Sequence, residues 1–125
     1  MERLFIQETK YSPRVDLNPD GKISIIGKSL LEDPFDFYNP ILTWAQNFNS
    51  ETLEVEIKLE YLNTSSSKQL FSILLGIQDN SNIQQTTIKW FYEEDDEDGL
   101  ELGKEFESQM NLHFDFFRFS AAIAS

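Results

Sequence analysis

The sequence predicts a mixed α/β fold of two layers, with about three helices packed mainly on one face of a sheet. Two observations carry that prediction. Apolar residues recur with period two in some segments and near 3.6 in others, and the two kinds alternate along the chain. The longest strand-like segment also keeps a charged second face: Leu53, Val55, Ile57, Leu59 and Tyr61 alternate with Thr52, Glu54, Glu56, Lys58 and Glu60. Strands covered by helices on both faces read as continuous apolar runs, so this alternation predicts a sheet with one face at least partly open.

Taken in order, Leu4-Phe5-Ile6 reads as a short first strand. Arg14 to Leu17 and Lys22 to Ile26 read as two strands of a hairpin, joined at Asn18-Pro19-Asp20-Gly21, where proline suits an early turn position and Asp-Gly tolerates positive φ. From Pro34 to Asn49 the residues Phe35, Tyr38, Ile41, Leu42, Ala45 and Phe48 form a helical stripe bordered by Phe37 and Trp44. Asp33 is the expected cap and Pro34 the expected first helical residue, while Pro40 is expected to kink the helix or delay its start. The strand Thr52 to Tyr61 follows. Next comes a helix carrying Leu70, Phe71, Ile73, Leu74 and Ile77, closing near Asn80-Ser81-Asn82. Thr86 to Tyr92 reads as a strand with Ile88, Trp90 and Tyr92 on one face. Asp98 is the expected cap of a third helix, Gly99 to about Met110, buried through Leu102, Phe106 and Met110. His113 to Phe119 closes the chain as an aromatic strand. The resulting order calls for parallel crossovers after the hairpin.

The 125 residues show no repeat or linker and are expected to form a single domain, residues 1–125. A hydrophobic share of 40% with eleven phenylalanines excludes a disordered acidic tail. The absence of cysteine removes disulfides, thiol catalysis and cysteine zinc sites, and one histidine, His113, cannot build a histidine cluster. No stretch approaches the roughly 18 apolar residues of a membrane span. Met1 to Phe5 lacks the pattern of a secretory signal, so a cytoplasmic location is expected. A net charge of −12, with scattered lysines and arginines, argues against nucleic acid and anionic membranes as partners. A basic protein surface is the partner such charge attracts.

Where the long strand gives way to the second helix stands Tyr61-Leu62-Asn63-Thr64-Ser65-Ser66-Ser67-Lys68. Four consecutive hydroxyl residues there face the unpaired N–H groups and positive dipole of a helix start. A phosphorylated hydroxyl is stabilised in that position. An N-cap with spare serines explains the same residues. Asp16-Leu17-Asn18-Pro19-Asp20-Gly21 imitates half a calcium loop, but Gly27 stands where a bidentate glutamate belongs. Glu94-Asp95-Asp96-Glu97-Asp98-Gly99 imitates the same pattern less well. It reads either as a solvated turn or as a handle for a basic partner. No nucleophile elbow, phosphate loop or dinucleotide fingerprint is present, His113 opens an aromatic strand, and the chain reads as a non-enzyme without cofactor or metal.

Over nearly its whole length the chain resembles the SiaC-type family of bacterial regulatory phosphoproteins. The residues that carry the likeness are Thr9-Lys10-Tyr11-Ser12-Pro13-Arg14-Val15, Gly27-Lys28-Ser29, Phe37-Tyr38-Asn39-Pro40 leading to Trp44, Tyr61 to Lys68, and Trp90 to Asp98. The segment Asn63-Thr64-Ser65-Ser66 is the most specific. The resemblance implies a STAS-like fold, as in anti-sigma-factor antagonists, and a phosphorylated threonine at Thr64. It implies a dedicated protein kinase and a PP2C-type phosphatase as partners. It further implies that the unphosphorylated form binds and activates a diguanylate cyclase, raising cyclic di-GMP and favouring aggregation or biofilm, and that phosphorylation breaks the complex. Asn63, Ser65, Ser66, Ser67 and Lys68 then belong to the phosphosite loop and partner-binding surface, and the three serines compete with Thr64 as acceptors. Lys68, one turn on, is placed to pair with a phosphate. The other reading is a constitutive acidic protein-interaction module whose hydroxyl loop only caps the helix.

Overall fold

Neighbours in the chain are neighbours in the sheet. A computed structural model describes residues 1–120 and contains β1 (Leu4–Ile6), β2 (Arg14–Asn18), β3 (Lys22–Ser29), α1 (Phe35–Asn47), β4 (Thr52–Leu62), α2 (Thr64–Gln78), β5 (Gln85–Glu93), α3 (Glu97–Ser108) and β6 (His113–Phe119). The six strands pair in the order β1-β2-β3-β4-β5-β6. The first two pairings are antiparallel and the last three parallel. Each parallel join passes through one helix. Right-handed crossovers that all advance in one direction place α1, α2 and α3 on the same face, giving the expected two-layer α/β architecture. No described helix is long and apolar enough to cross a membrane.

One face of every long strand is buried beneath the helices. Val15, Leu17, Ile23, Ile25, Val55, Ile57 and Ile88 pack in one cluster with Tyr38, Ile41, Ala45, Leu70, Ile73, Leu74 and Ile77. Burial of such side chains stabilises by about 1.5–3 kcal/mol each, so this layer supplies most of the driving force. The other sheet face carries cross-strand ion pairs: Arg3 with Asp16 at 2.6 Å, and Glu54 between Lys89 at 2.9 Å and Lys22 at 3.5 Å. That open face had been expected from the alternation of β4.

Several local expectations shift. α1 starts at Phe35 after Pro34, with no side-chain cap, and α3 starts at Glu97 with Asp96 as its cap, two residues ahead of Asp98. Pro40 lies inside an unbroken α1. Pro40 and Asp36, the residue whose carbonyl loses a donor to the proline, are both exposed. Trp44, placed on the border of the stripe, is buried, whereas Phe35, at the first helical position, is exposed. Tyr61 continues the apolar face of β4 in sequence yet is 59% exposed. The ladder slips beside Gly27, so that Leu59 pairs with Gly27 and Tyr61 with Lys28. Tyr61 thus stands beyond a bulge at the strand's carboxyl end, with the Lys28 ammonium 5.6 Å from its ring centre.

The first calcium-like segment is a hairpin turn. Gly21 N–H donates to Asn18 O at 3.0 Å, and Asn18 Oδ1 accepts from Asp20 N–H at 2.9 Å. Gly21 has φ +117°, and a Cβ there would sit 2.9 Å from Thr52 O, so glycine is required for the turn and for close approach to β4. Among the described residues no group of three or more His, Cys, Asp or Glu side chains is arranged to hold a metal. The tail residues 121–125 lie outside the described residues.

The Lys89 ammonium holds the Glu54 carboxyl below its ordinary pKa, against a smaller opposing effect of burial. A carboxylate whose pKa is depressed by folding contributes stability above its unfolded pKa and loses it as pH falls through the folded value. Glu54→Gln is therefore expected to lower Tm at neutral pH and to match the parent protein at about pH 2, as thermal melts at the two pH values will show.

Candidate functional site

Asn63, the last residue before α2, has extended backbone angles (φ −77°, ψ 167°), and its Oδ1 accepts from Ser66 N–H at 3.0 Å. It is the N-cap, which frees the hydroxyl residues from that duty. Its Nδ2 donates to Leu31 O at 2.9 Å and its backbone N–H to Ser29 O at 3.1 Å. Ser65 Oγ also donates to Leu31 O, at 3.2 Å. The start of α2 is thereby tied to the connection between β3 and α1.

Below these bonds lies a buried chain of three hydroxyls. Ser29 Oγ donates to Ser66 Oγ at 2.8 Å and lies 2.6 Å from the Tyr38 hydroxyl. All three residues are fully enclosed. Burial pushes the Tyr38 pKa up to about 12, partly offset by its hydrogen bond with Ser29, so the chain stays neutral at physiological pH. Ser66 has no exposed surface. Ser67 is half-buried and donates from Oγ to Thr64 O at 2.8 Å. Thr64, the first residue of α2, is exposed, and its hydroxyl has no hydrogen-bond partner among the described residues. Lys68, one turn further, is exposed as well.

Thr64 and Ser67 form one wall of a groove of about 380 Å³ at the carboxyl end of β4 and β5. Ile57, Leu59, Trp90 and Leu102 line its apolar part, Tyr61 stands on the rim, and Glu60, Asp96 and Asp98 are the acidic residues along its margin, Glu60 also bordering a separate hollow with Lys10 and Lys28. The opposite wall is α3, seated directly on the sheet. Asp96 Oδ1 accepts from Gly99 N–H at 2.9 Å, and Trp90 Nε1 donates to Gly99 O at 3.0 Å. A Cβ on Gly103 would fall 2.7 Å from Trp90 Nε1 and 2.8 Å from Phe116 Cε1. Only glycine permits this approach, and Gly103→Ala is overpacked.

The structure therefore gathers Asn63, Thr64, Ser65, Ser66, Ser67 and Lys68 at one helix start, with four distinct roles: cap, exposed hydroxyl, tethers and exposed cation. It leaves His113 elsewhere. That ring opens β6 at the opposite end of the parallel strands and sits 2.9 Å from Asp115 Oδ1. Ser29 and Tyr38 stand in segments that carry the family resemblance, but their part in this helix start, and that of Leu31, is not visible in the sequence. Ser29 and Ser66 are 37 positions apart, and no local spacing announces a hydrogen bond over that distance.

The structure is thus a small α/β protein that presents an exposed threonine on a helix start locked from beneath, beside an open groove. The chain belongs to the SiaC family of regulatory phosphoproteins, whose family model matches residues 6–119. A protein of Pseudomonas aeruginosa strain UCBPP-PA14 described as uncharacterized is 27% identical over 119 residues, covering 91% of this chain and 94% of its own. The structure of SiaC of Pseudomonas aeruginosa superposes with TM-score 0.85 at 25% identity, covering 95% of this chain and all of the other. A structure of diguanylate cyclase SiaD in complex with its activator SiaC, also from Pseudomonas aeruginosa, contains a chain that matches with TM-score 0.82 at 25% identity, over 93% of this chain and 99% of that one.

Because Asn63 is the cap, Asn63→Ala is expected to cost about 1–2 kcal/mol in denaturant unfolding. Thr64→Ala is expected to stay within about 0.5 kcal/mol of the parent.

Proposed function

We propose that this protein is the phosphorylation-controlled binding component of a bacterial partner-switching pathway, acting in the cytoplasm by binding and not by catalysis, with residues 1–125 working as one domain. Unphosphorylated, it binds and activates a diguanylate cyclase, promoting cyclic di-GMP signalling and biofilm formation. A cognate protein kinase phosphorylates Thr64 and releases the cyclase, and a PP2C-type phosphatase restores the binding form. Asn63, Ser65, Ser66, Ser67 and Lys68 shape and surround the switch.

The observation that carries this reading is the contrast within one segment: Ser66 is enclosed, Ser65 and Ser67 are engaged, and Thr64 stands free and exposed. Family membership and the complex of SiaC with its cyclase support the class of partner. Physical reasoning supplies the rest. A phosphothreonine carries roughly −1.5 to −2 charges, which the positive end of α2 tolerates in the free protein. A partner lying over Thr64 would have to strip water from that dianion, at a cost no neutral hydroxyl imposes. Binding is lost while the fold persists.

Phosphosite mapping on protein from its own host, and after treatment with the cognate kinase, is expected to place phosphate on Thr64. Thr64→Ala should abolish incorporation and remain bound to the cyclase in the presence of kinase and ATP. Phosphate on Ser65 or Ser67 instead would move the acceptor. Undiminished cyclase binding by the fully phosphorylated protein would return the chain to a constitutive interaction module.

A further inference from the structure

Charge is distributed unevenly over the surface. On the open sheet face the carboxylates of Asp16 and Glu54 are neutralised by Arg3, Lys22 and Lys89. Around the groove between α2 and α3 they are not. On the α3 side, Asp96 and Asp98 enter no ion pair with any described residue, and the acidic run Glu93 to Asp98 continues from the groove over the start of α3. The groove is apolar within, with Trp90 and Leu102 along it and the exposed Tyr61 at its lip. An apolar slot with an unneutralised acidic wall on one side fits one kind of occupant.

We propose that this groove docks a basic segment of a protein partner, in which one bulky apolar side chain lies against Trp90 and Leu102 and flanking arginines or lysines meet Asp98 and the acidic run that leads to it. The proposal rests on the switch reading above and gives its partner a chemistry. The two walls then have separate tasks. Carboxylates on the α3 side attract the basic flanks, a contribution that weakens with salt. The α2 wall, with Thr64 and Ser67, borders the apolar anchor. A phosphate on Thr64 takes up space next to the anchor and must be desolvated there, so the gain in negative charge does not strengthen docking. Specificity comes from the same pair of features, because an acidic segment is repelled and a purely basic one leaves the slot unfilled.

The test uses a synthetic 14-residue helical peptide with one central leucine flanked by arginines, and a counterpart with every arginine replaced by glutamate. Binding to the full chain is followed by backbone amide shifts in NMR titrations. The basic peptide is expected to move amides of Tyr61, Ser67, Asp98 and Leu102 and to bind at least tenfold tighter than the acidic one. Asp95→Lys with Asp98→Lys, both exposed positions whose folding is checked by circular dichroism, should weaken it at least tenfold. Absent shifts, shifts confined to the open sheet face, or equal affinity for both peptides would overturn the proposal. Binding that persists equally to the Thr64-phosphorylated chain supports the groove as the docking site while refuting the switch. If no peptide binds while phosphorylation still releases the cyclase, the switch stands and the docking proposal falls.

Discussion

Everything distinctive about this molecule depends on how the first turn of α2 is held. Helix starts are ordinarily the loosest part of a helix, because four N–H groups lack partners there. In this chain the start is fastened from below by the Tyr38, Ser29 and Ser66 hydroxyls and from the side by Asn63 and Ser65 on Leu31 O. Each such bond contributes only about 0.5–1.5 kcal/mol net, yet leaving any of these enclosed groups unpaired costs more than the bond contributes. The hydroxyls therefore specify one arrangement, and no buried side-chain polar atom among the described residues is left without a partner. Thr64 is presented on a platform whose position does not depend on Thr64 itself.

The sheet and helices serve that presentation. Sequential strand order puts all three helices on one face, so the carboxyl ends of β4 and β5 open between α2 and α3. Close seating of α3, permitted by Gly103 against Trp90 and Phe116, keeps the groove narrow. The carboxylate surplus, 22 acidic against 10 basic residues, is partly cancelled on the open sheet face and left uncancelled here. Fold and charge thus converge on the surface that surrounds the exposed threonine.

Much of the fold was legible in the sequence, since periodicity reports which face of an element is buried. The alternation of β4 revealed both a strand and an open sheet face, and the Asp20-Gly21 turn revealed the hairpin. Helix starts were misplaced by one residue at Asp33, where no side chain caps α1, and by two at Asp98, where several acidic residues stand in line and only tertiary position selects Asp96 as the one that bonds. Tyr61 was misassigned because a bulge beside Gly27 is invisible to a period-two rule. At the site, the hydroxyl cluster itself was plain. The division of labour within it was not, because that depends on Ser29, Leu31 and Tyr38, brought in from elements far away in the chain.

Phosphate at Thr64 is expected to change the surface of α2 and leave its fold untouched. Amide hydrogen exchange across Thr64–Gln78, in the free protein with and without stoichiometric phosphate on Thr64, tests this directly. Protection at Leu70, Ile73, Leu74 and Ile77 is expected to stay unchanged, with differences confined to the first turn. Loss of protection through those four residues would contradict that expectation, showing that phosphorylation acts by unfolding the helix.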